Sequence, residues 1–455
     1  MFDFVRERKI PIHSLQIVRQ GRLALDAYFY PYAPGIRHDV ASVTKSITST
    51  LTGLAIDKGV LRGTRQSVMG LFPDRVAANL DALKRKLTIE DLLTMRAGWD
   101  CGFEPKEARL FEMRRSADWV QFMLDLPVVA EPGTRWAYCS GNCHLLSAIL
   151  TKATGTNALA FARRELFAPL GIQDTAWPAD ANGNNHGWGD LQMHPRDMAK
   201  IGQLFLQSGR WKNRQLISEE WVRSATRAHV ERTSNKDHYG YYWWVKGEDY
   251  AGMFEAVGRG GQRITVWPAK ELVIVFTGGG FEPGDLAPFL LKALKSGQSS
   301  PPRPDASRQL KARLGVALKP GLPGPVSKLP ALAARIAGKT FRLSGDNPSL
   351  SAITFQFDDS AEAEVMVTWD GRPARVVVGL DGVERFSTNP LVGLPQAAKG
   401  AWQDDTNFLL DLDLVGGINR YQIKFTFAEE GKRVNIALRE LTDLSDEQFT
   451  GIMSE

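Results

Sequence analysis

The stretch "HDVASVTKSITSTLTGLAIDKG", residues 38–59, decides how the chain is read. Val43, Ile47, Leu51 and Leu54 recur at spacings of three and four, which predicts a helix with one apolar stripe, ending at Gly59. Its many threonines lower the intrinsic helix propensity, so packing must hold it in place and a buried central helix is expected. Ser42 and Lys45 then stand one turn apart on the same face, at the helix start. A first turn offers unpaired backbone N–H groups and a dipole that favours negative charge. Serine needs a base to become a nucleophile, and a lysine at this distance can take or stabilise its proton. A solvated lysine on an ordinary helix spells the same four letters, so the missing parts have to come from elsewhere in the chain.

Outward from this helix the pattern is mixed. Ser14 to Phe29, SLQIVRQGRLALDAYF, reads as a hairpin turning at Gln20-Gly21. From about residue 60 to 230 helical periodicity dominates, as in LTIEDLLTMRAG, with Thr88 as N-cap and Glu90 and Asp91 in its first turn. HLLSAILTKATG, TNALAFARRELFAPLG, HPRDMAKIGQLFLQSG and SEEWVRSATR are also read as helices. Strand patterns return in YGYYWWV, GQRITVWP and ELVIVFTGG, the last two joined by Pro268-Ala269-Lys270 as antiparallel neighbours. Strands at both ends with helices between predict one sheet closed by distant segments. Residues 296–330 are rich in Ser, Pro and Gly and read as a linker. Beyond them KTFRL, ITFQFDD, AEVMVTW, ARVVVGL, NFLLDLDL, YQIKFTFAE and RVNIALREL alternate as short strands of a separate all-β sandwich or barrel.

Bulk properties narrow the function. The 455 residues are long for one domain, and the net charge of +5 is only mildly basic. Lys84-Arg85-Lys86 is the longest basic run and reads as an exposed lead-in to a helix; no aromatic-interleaved basic stripe suits nucleic acid. Cys101, Cys139 and Cys143 form no zinc spacing and no disulfide framework, and are expected as reduced, mostly buried thiols. No stretch reaches the ~18 apolar residues of a membrane span. MFDFVRERKIPIH lacks the apolar region of a secretory signal, which leaves the compartment open: cytoplasm, or periplasm if a signal was removed.

Two further segments supply candidate chemistry. In PGTRWAYCSGNCHLLSAIL, Tyr138 sits in a loop just ahead of a helix; it can pack or hydrogen-bond, but beside a lysine its phenolate can take the serine proton. In EAVGRGGQRITVWP, Gly258, Gly260 and Gly261 precede a strand and allow backbone to approach a ligand closely, or simply mark a strand entry. A strand follows them, so they do not make a dinucleotide loop.

Taken in order, S-x-x-K, Y-x-S and the glycine strand entry resemble the serine β-lactamase-fold, penicillin-recognising hydrolases. The likeness is to the class C-like branch with 6-aminohexanoate-dimer hydrolases and carboxylesterases, and it runs over nearly all of residues 10–295. It implies an α/β (α+β) β-lactamase/transpeptidase-like fold, an antiparallel sheet flanked by helices with an inserted helical region. The domains expected are residues 1–295 for the hydrolase, 296–330 for the linker and 331–455 for the all-β domain. By resemblance, Ser42 is the acylated nucleophile and Lys45 with Tyr138 the proton-transfer pair. Backbone N–H groups of Ser42 and Arg259 make the oxyanion hole, and Ser140 orients Lys45. Gly258, Gly260, Trp99, Asp100 and Trp188 border the substrate, with Trp136 nearby, and no cofactor or metal is implied. His144 and His194 are read as helix-surface residues and His38 as an anchor of the nucleophile loop.

Ala256 and Ser140 stand where lactamase members carry lysine and asparagine, which argues against efficient antibiotic hydrolysis and suits esterases and amidases. The expected partner is a small ester or amide substrate. A catalytically weak sensor or binder, a D-amino-acid peptidase and a homodimer all stay open. The C-terminal domain could bind a partner, cover the site or stabilise such a dimer.

Overall fold

The computed structural model describes residues 1–101, 107–231, 237–295, 304–358, 360–390, 393–442 and 445–454. It divides into two compact units, residues 15–26 with 39–277, and residues 1–14 and 27–38 with 278–455.

The first unit is built around the helix predicted from the opening stretch. Val43–Asp57 (α1) is buried along nearly its whole length. Its threonines do not face water: Thr48, Thr50 and Thr52 return their hydroxyls to carbonyls one turn back, which lets polar side chains sit in a core. Gly59 follows with φ +70°, the left-handed conformation that ends a helix. Gly53 gives α1 a flat face, since a Cβ there would lie 2.4 Å from the Trp221 ring. Ser140–Thr154 (α2) packs against it and is buried from Ser140 to Leu150. Thr88 and Asp91 form a reciprocal capping box on the helix Ile89–Leu93.

The sheet of this fold runs Arg22–Tyr28, Ile12–Arg19, Leu272–Gly278, Arg263–Trp267, Phe254–Val257, Trp244–Val245, His238–Tyr239, Val230–Glu231. The predicted first hairpin and the pairing of GQRITVWP with ELVIVFTGG are both present, the latter with Trp267 opposite Leu272. YGYYWWV is not one strand. Gly240 N–H bonds to Trp243 C=O and Tyr242 has φ +62°, so the segment folds back into a tight hairpin. Pro195–Leu206 (α3) lays Gly202 against Val273 and Ile264 of the sheet.

Three sequence expectations in this unit are corrected. Cys101 and Cys139, 38 residues apart, are joined as a disulfide with Cα atoms 5.9 Å apart, and only Cys143 is free. Spacing along the chain could not show that the two segments meet. Lys84 is no exposed lead-in: it is buried, its ammonium donates to the carbonyls of Ala78 and Leu124, and it lies 5.6 Å from the Trp99 ring. His144 lies inside the protein, bonded through Nε2 to Asp180 at 2.9 Å, because α2 has no solvent face over this stretch.

The second unit holds an all-β barrel. Four strands, Thr340–Gly345, Leu350–Phe357, Glu362–Trp369 and Arg372–Gly379, meander antiparallel, and the first also pairs with the last strand, Ser445–Met453. From there the order runs back through Arg433–Glu440, Arg420–Ala428, Asn407–Leu414, Leu394–Trp402 and Arg385–Asn389. A parallel pairing of Gly379 with Lys399 closes the ring, with Arg385–Asn389 left as a short strand on Leu394–Trp402. Phe341, Phe355, Phe408, Phe425, Phe427 and Phe449 fill it. Of the stretch read as a linker, residues 296–303 lie outside the described residues and Pro304–Ala317 is helical.

Candidate active site

The chain approaches α1 in a constrained way. Ala41 has φ +47°, a conformation uncommon for a residue with a side chain, and the Asp39 carboxylate accepts its N–H at 2.8 Å. Ser42 follows as the N-cap of α1 and is half-buried. Its hydroxyl accepts a hydrogen bond from the Lys45 ammonium at 2.9 Å, and Lys45 also donates to the Trp188 carbonyl at 3.0 Å. Lys45 is only 2 % exposed, and its ammonium lies 4.8 Å from the centre of the Tyr138 ring.

Burial and neighbouring charge set the protons here. Burial drives the Lys45 pKa down, but the fields of Tyr138, Cys143 and Glu107 and a side-chain bond to Tyr138 outweigh it, so the net direction is up. Burial likewise raises the Tyr138 phenol; the Lys45 charge and contact with Ser42 pull the other way without cancelling it. At neutral pH the pair therefore rests as ammonium and neutral phenol. Burial and the Asp190 charge push Asp39 up to about 7. Cys143, beneath the site, is pushed by burial up to about 12 and stays a thiol.

The glycine segment meets the nucleophile from the other side. A Cβ on Gly258 would stand 2.6 Å from the Val40 carbonyl and 3.0 Å from the Ala41 side chain, so only glycine lets the strand end close on the residues before Ser42. Gly260 and Gly261, with φ +79° and +97°, turn the chain back, and Gly258 N–H bonds to Gln262 C=O. Arg259 sits at the apex of this turn with an exposed side chain. Ala256, expected from the sequence at the position of the family's third-motif lysine, is buried in the strand Phe254–Val257.

Other predicted residues are placed differently. Ser140 gives its hydroxyl to Glu107 Oε2 at 3.0 Å. Trp99 is core, not wall: it is 1 % exposed and shares that core with Met95 and Val128. Asp100 pairs with Arg109 at 3.3 Å. Trp188 is buried and stacks on His186, offering Lys45 its backbone instead of a ring. Trp136 packs edge-on against Tyr239, while Trp244 stacks on Tyr138 at 6.4 Å. His38 meets His13 at 2.8 Å, and His194 is the N-cap of α3, bonded to Asp174. The sequence reading missed Glu107, Asp39, Asp190 and Trp244; only Asp39, three residues before Ser42, was signalled by position. No group of three His, Cys, Asp or Glu able to hold a metal occurs among the described residues, and no described helix is long and apolar enough to cross a membrane.

An antiparallel sheet with a buried S-x-x-K helix, a facing Y-x-S tyrosine and a glycine strand entry define the penicillin-recognising type of fold. The chain belongs to the Beta-lactamase family, whose pattern matches residues 2–295. The 6-aminohexanoate-dimer hydrolase of Paenarthrobacter ureafaciens is 24% identical over 282 residues, 57% of this chain and 70% of that protein. Among solved structures, the octameric penicillin-binding protein homologue from Pyrococcus abyssi superposes over 98% of this chain and 97% of its own, with a TM-score of 0.53 at 15% identity. EstCE1, a hydrolase with promiscuous acyltransferase activity, covers 61% of this chain and 90% of its own, with a TM-score of 0.53 at 16% identity.

Proposed function

We propose that this hydrolase of the Beta-lactamase family cleaves a small ester or amide through an acyl-enzyme on Ser42. The observation that carries this reading is the meeting of the Ser42 hydroxyl with a buried Lys45 ammonium and the Tyr138 phenol. Ser42 Oγ attacks the substrate carbonyl as its proton passes to ionised Tyr138, with Lys45 holding the phenolate charge. The carbonyl oxygen becomes the oxyanion, facing the backbone N–H groups of Ser42 and Arg259. Tyr138 returns the proton to the leaving alcohol or amine as the carbon–heteroatom bond breaks. Water then attacks the acyl group, gives a proton to Tyr138, and Ser42 leaves with that proton restored.

Buried Ala256 supplies no cation for a β-lactam carboxylate, which favours neutral substrates of the esterase and amidase kind. A panel of p-nitrophenyl esters and anilides tests the proposal. Turnover should fall about 10⁴-fold or more in Ser42→Ala and about 10²- to 10⁴-fold in Tyr138→Phe. Turnover in the wild type that survives both substitutions would overturn it.

A further inference from the structure

Glu107 reaches the site from a segment that no motif marks. Its Oε1 accepts the backbone N–H of Ser140 at 2.6 Å and its Oε2 accepts the Ser140 hydroxyl at 3.0 Å. Ser140 is the first residue of α2, and the N-cap of that helix, Cys139, provides no side-chain bond to the exposed N–H groups. Glu107 thus caps α2 from 33 residues upstream with a full negative charge, where the helix dipole favours one. It does so at φ +52°, a left-handed conformation that is rare for a residue with a side chain.

The same carboxylate answers a second need. The Lys45 ammonium is buried, yet the oxygens it donates to at 2.9 and 3.0 Å, Ser42 Oγ and the Trp188 carbonyl, are neutral. A buried ion is costly without an opposite charge nearby. Asp190 lies on the Trp188 side, where His186 holds it at 2.7 Å. On the Tyr138 side the carboxylate is Glu107, bonded to Ser140 two residues from Tyr138, and its field adds to those of Tyr138 and Cys143 in raising Lys45. We propose that Glu107 is a positioning residue of this site, whose carboxylate anchors the Tyr138–Ser140 segment and supplies the negative charge that balances Lys45.

This inference rests on the reading of Ser42 and Tyr138 given above. The groups facing Tyr138 are Lys45 from α1, Glu107, and from α2 and the Gly240–Trp243 turn the neutral Cys143 and Tyr242. With Glu107 neutralised, Lys45 pulls unopposed on the Tyr138 proton, and the phenol ionises at lower pH. The test is the pH profile of kcat/KM for a p-nitrophenyl ester. In Glu107→Gln the rising limb set by Tyr138 should move about one pH unit lower, whereas Glu107→Asp, which keeps the charge, should stay with the wild type. Ser140→Ala breaks one anchoring bond and spares the charge, so it should lower kcat severalfold without moving the limb. A fluorophosphonate probe run in parallel separates this inference from the one beneath it. If wild-type Ser42 is not labelled, the nucleophile assignment falls. If all variants are labelled but the limb of Glu107→Gln coincides with the wild type, Glu107 is only a helix cap and the proposal is overturned.

Discussion

Lys45 and Tyr138 are both held above their ordinary proton affinities, but by different causes: burial raises Tyr138 against the pull of Lys45, whereas the fields of its neighbours raise Lys45 against burial. The reactive form needs the phenol ionised, so activity should climb with pH through the neutral range, about tenfold per unit below the Tyr138 pKa. A kcat/KM profile that is already flat at neutral pH would contradict this. Asp39 gives a prediction of opposite sign for stability. Burial raises it to about 7 in the folded protein against roughly 4 for a free aspartate. The folded state then binds the proton more tightly than the unfolded state, so the stability tied to Asp39 is present at low pH and is lost between about pH 4 and about pH 7. Urea unfolding at about pH 5 and about pH 8 should show a shallower decline for Asp39→Asn than for the wild type. An equal or steeper decline would remove Asp39 from that account.

Elements bring these residues together, and two of their junctions can be broken singly. Gly258→Ala would force a Cβ within 2.6 Å of the Val40 carbonyl, so the strand end must retreat from Ser42. Misplacement of that size predicts a loss of about 10²-fold in kcat/KM, with little change in melting temperature. The Cys101–Cys139 disulfide ties the Trp99–Cys101 segment to the residue next to Tyr138. A crosslink spanning 38 residues contributes about 3–4 kcal/mol by loop-closure entropy, so reduction should lower the melting temperature measurably. What was legible in the sequence follows the same division. The α1 stripe, the Gly59 stop, the Thr88 cap and the strand pair around Pro268 are local patterns, and each could be read from a few adjacent residues. Glu107 on Ser140, Cys101 on Cys139, and Lys84 under Trp99 are meetings of distant segments with no periodic signal. Trp99 and His144 were misread because a polar or aromatic residue near a loop looks the same in sequence whether it faces water or core.

At the scale of the whole chain, two cores are built by different rules. The first unit packs polar-rich helices such as α1, where Thr48, Thr50 and Thr52 each give their hydroxyl to a carbonyl one turn back. The barrel packs phenylalanines, with Phe355 fully buried and edge-on to Phe425 at 5.0 Å. Seven of its strands carry apolar alternation strong enough to be read. Arg385–Asn389, Leu394–Trp402 and Ser445–Met453 are small or polar at most positions and escape notice, although the ring cannot close without the last two. Phe355→Ala should cost the barrel about 3–5 kcal/mol and leave labelling of Ser42 at room temperature intact; loss of labelling together with loss of barrel stability would show that the two cores fold as one. The central claim, that the hydroxyl at position 42 is the group acylated, is tested most directly by intact mass after exposure to a fluorophosphonate. The account predicts a single adduct on the wild type and none on Ser42→Ala. An unmodified wild type, or an adduct that persists in Ser42→Ala, would contradict it.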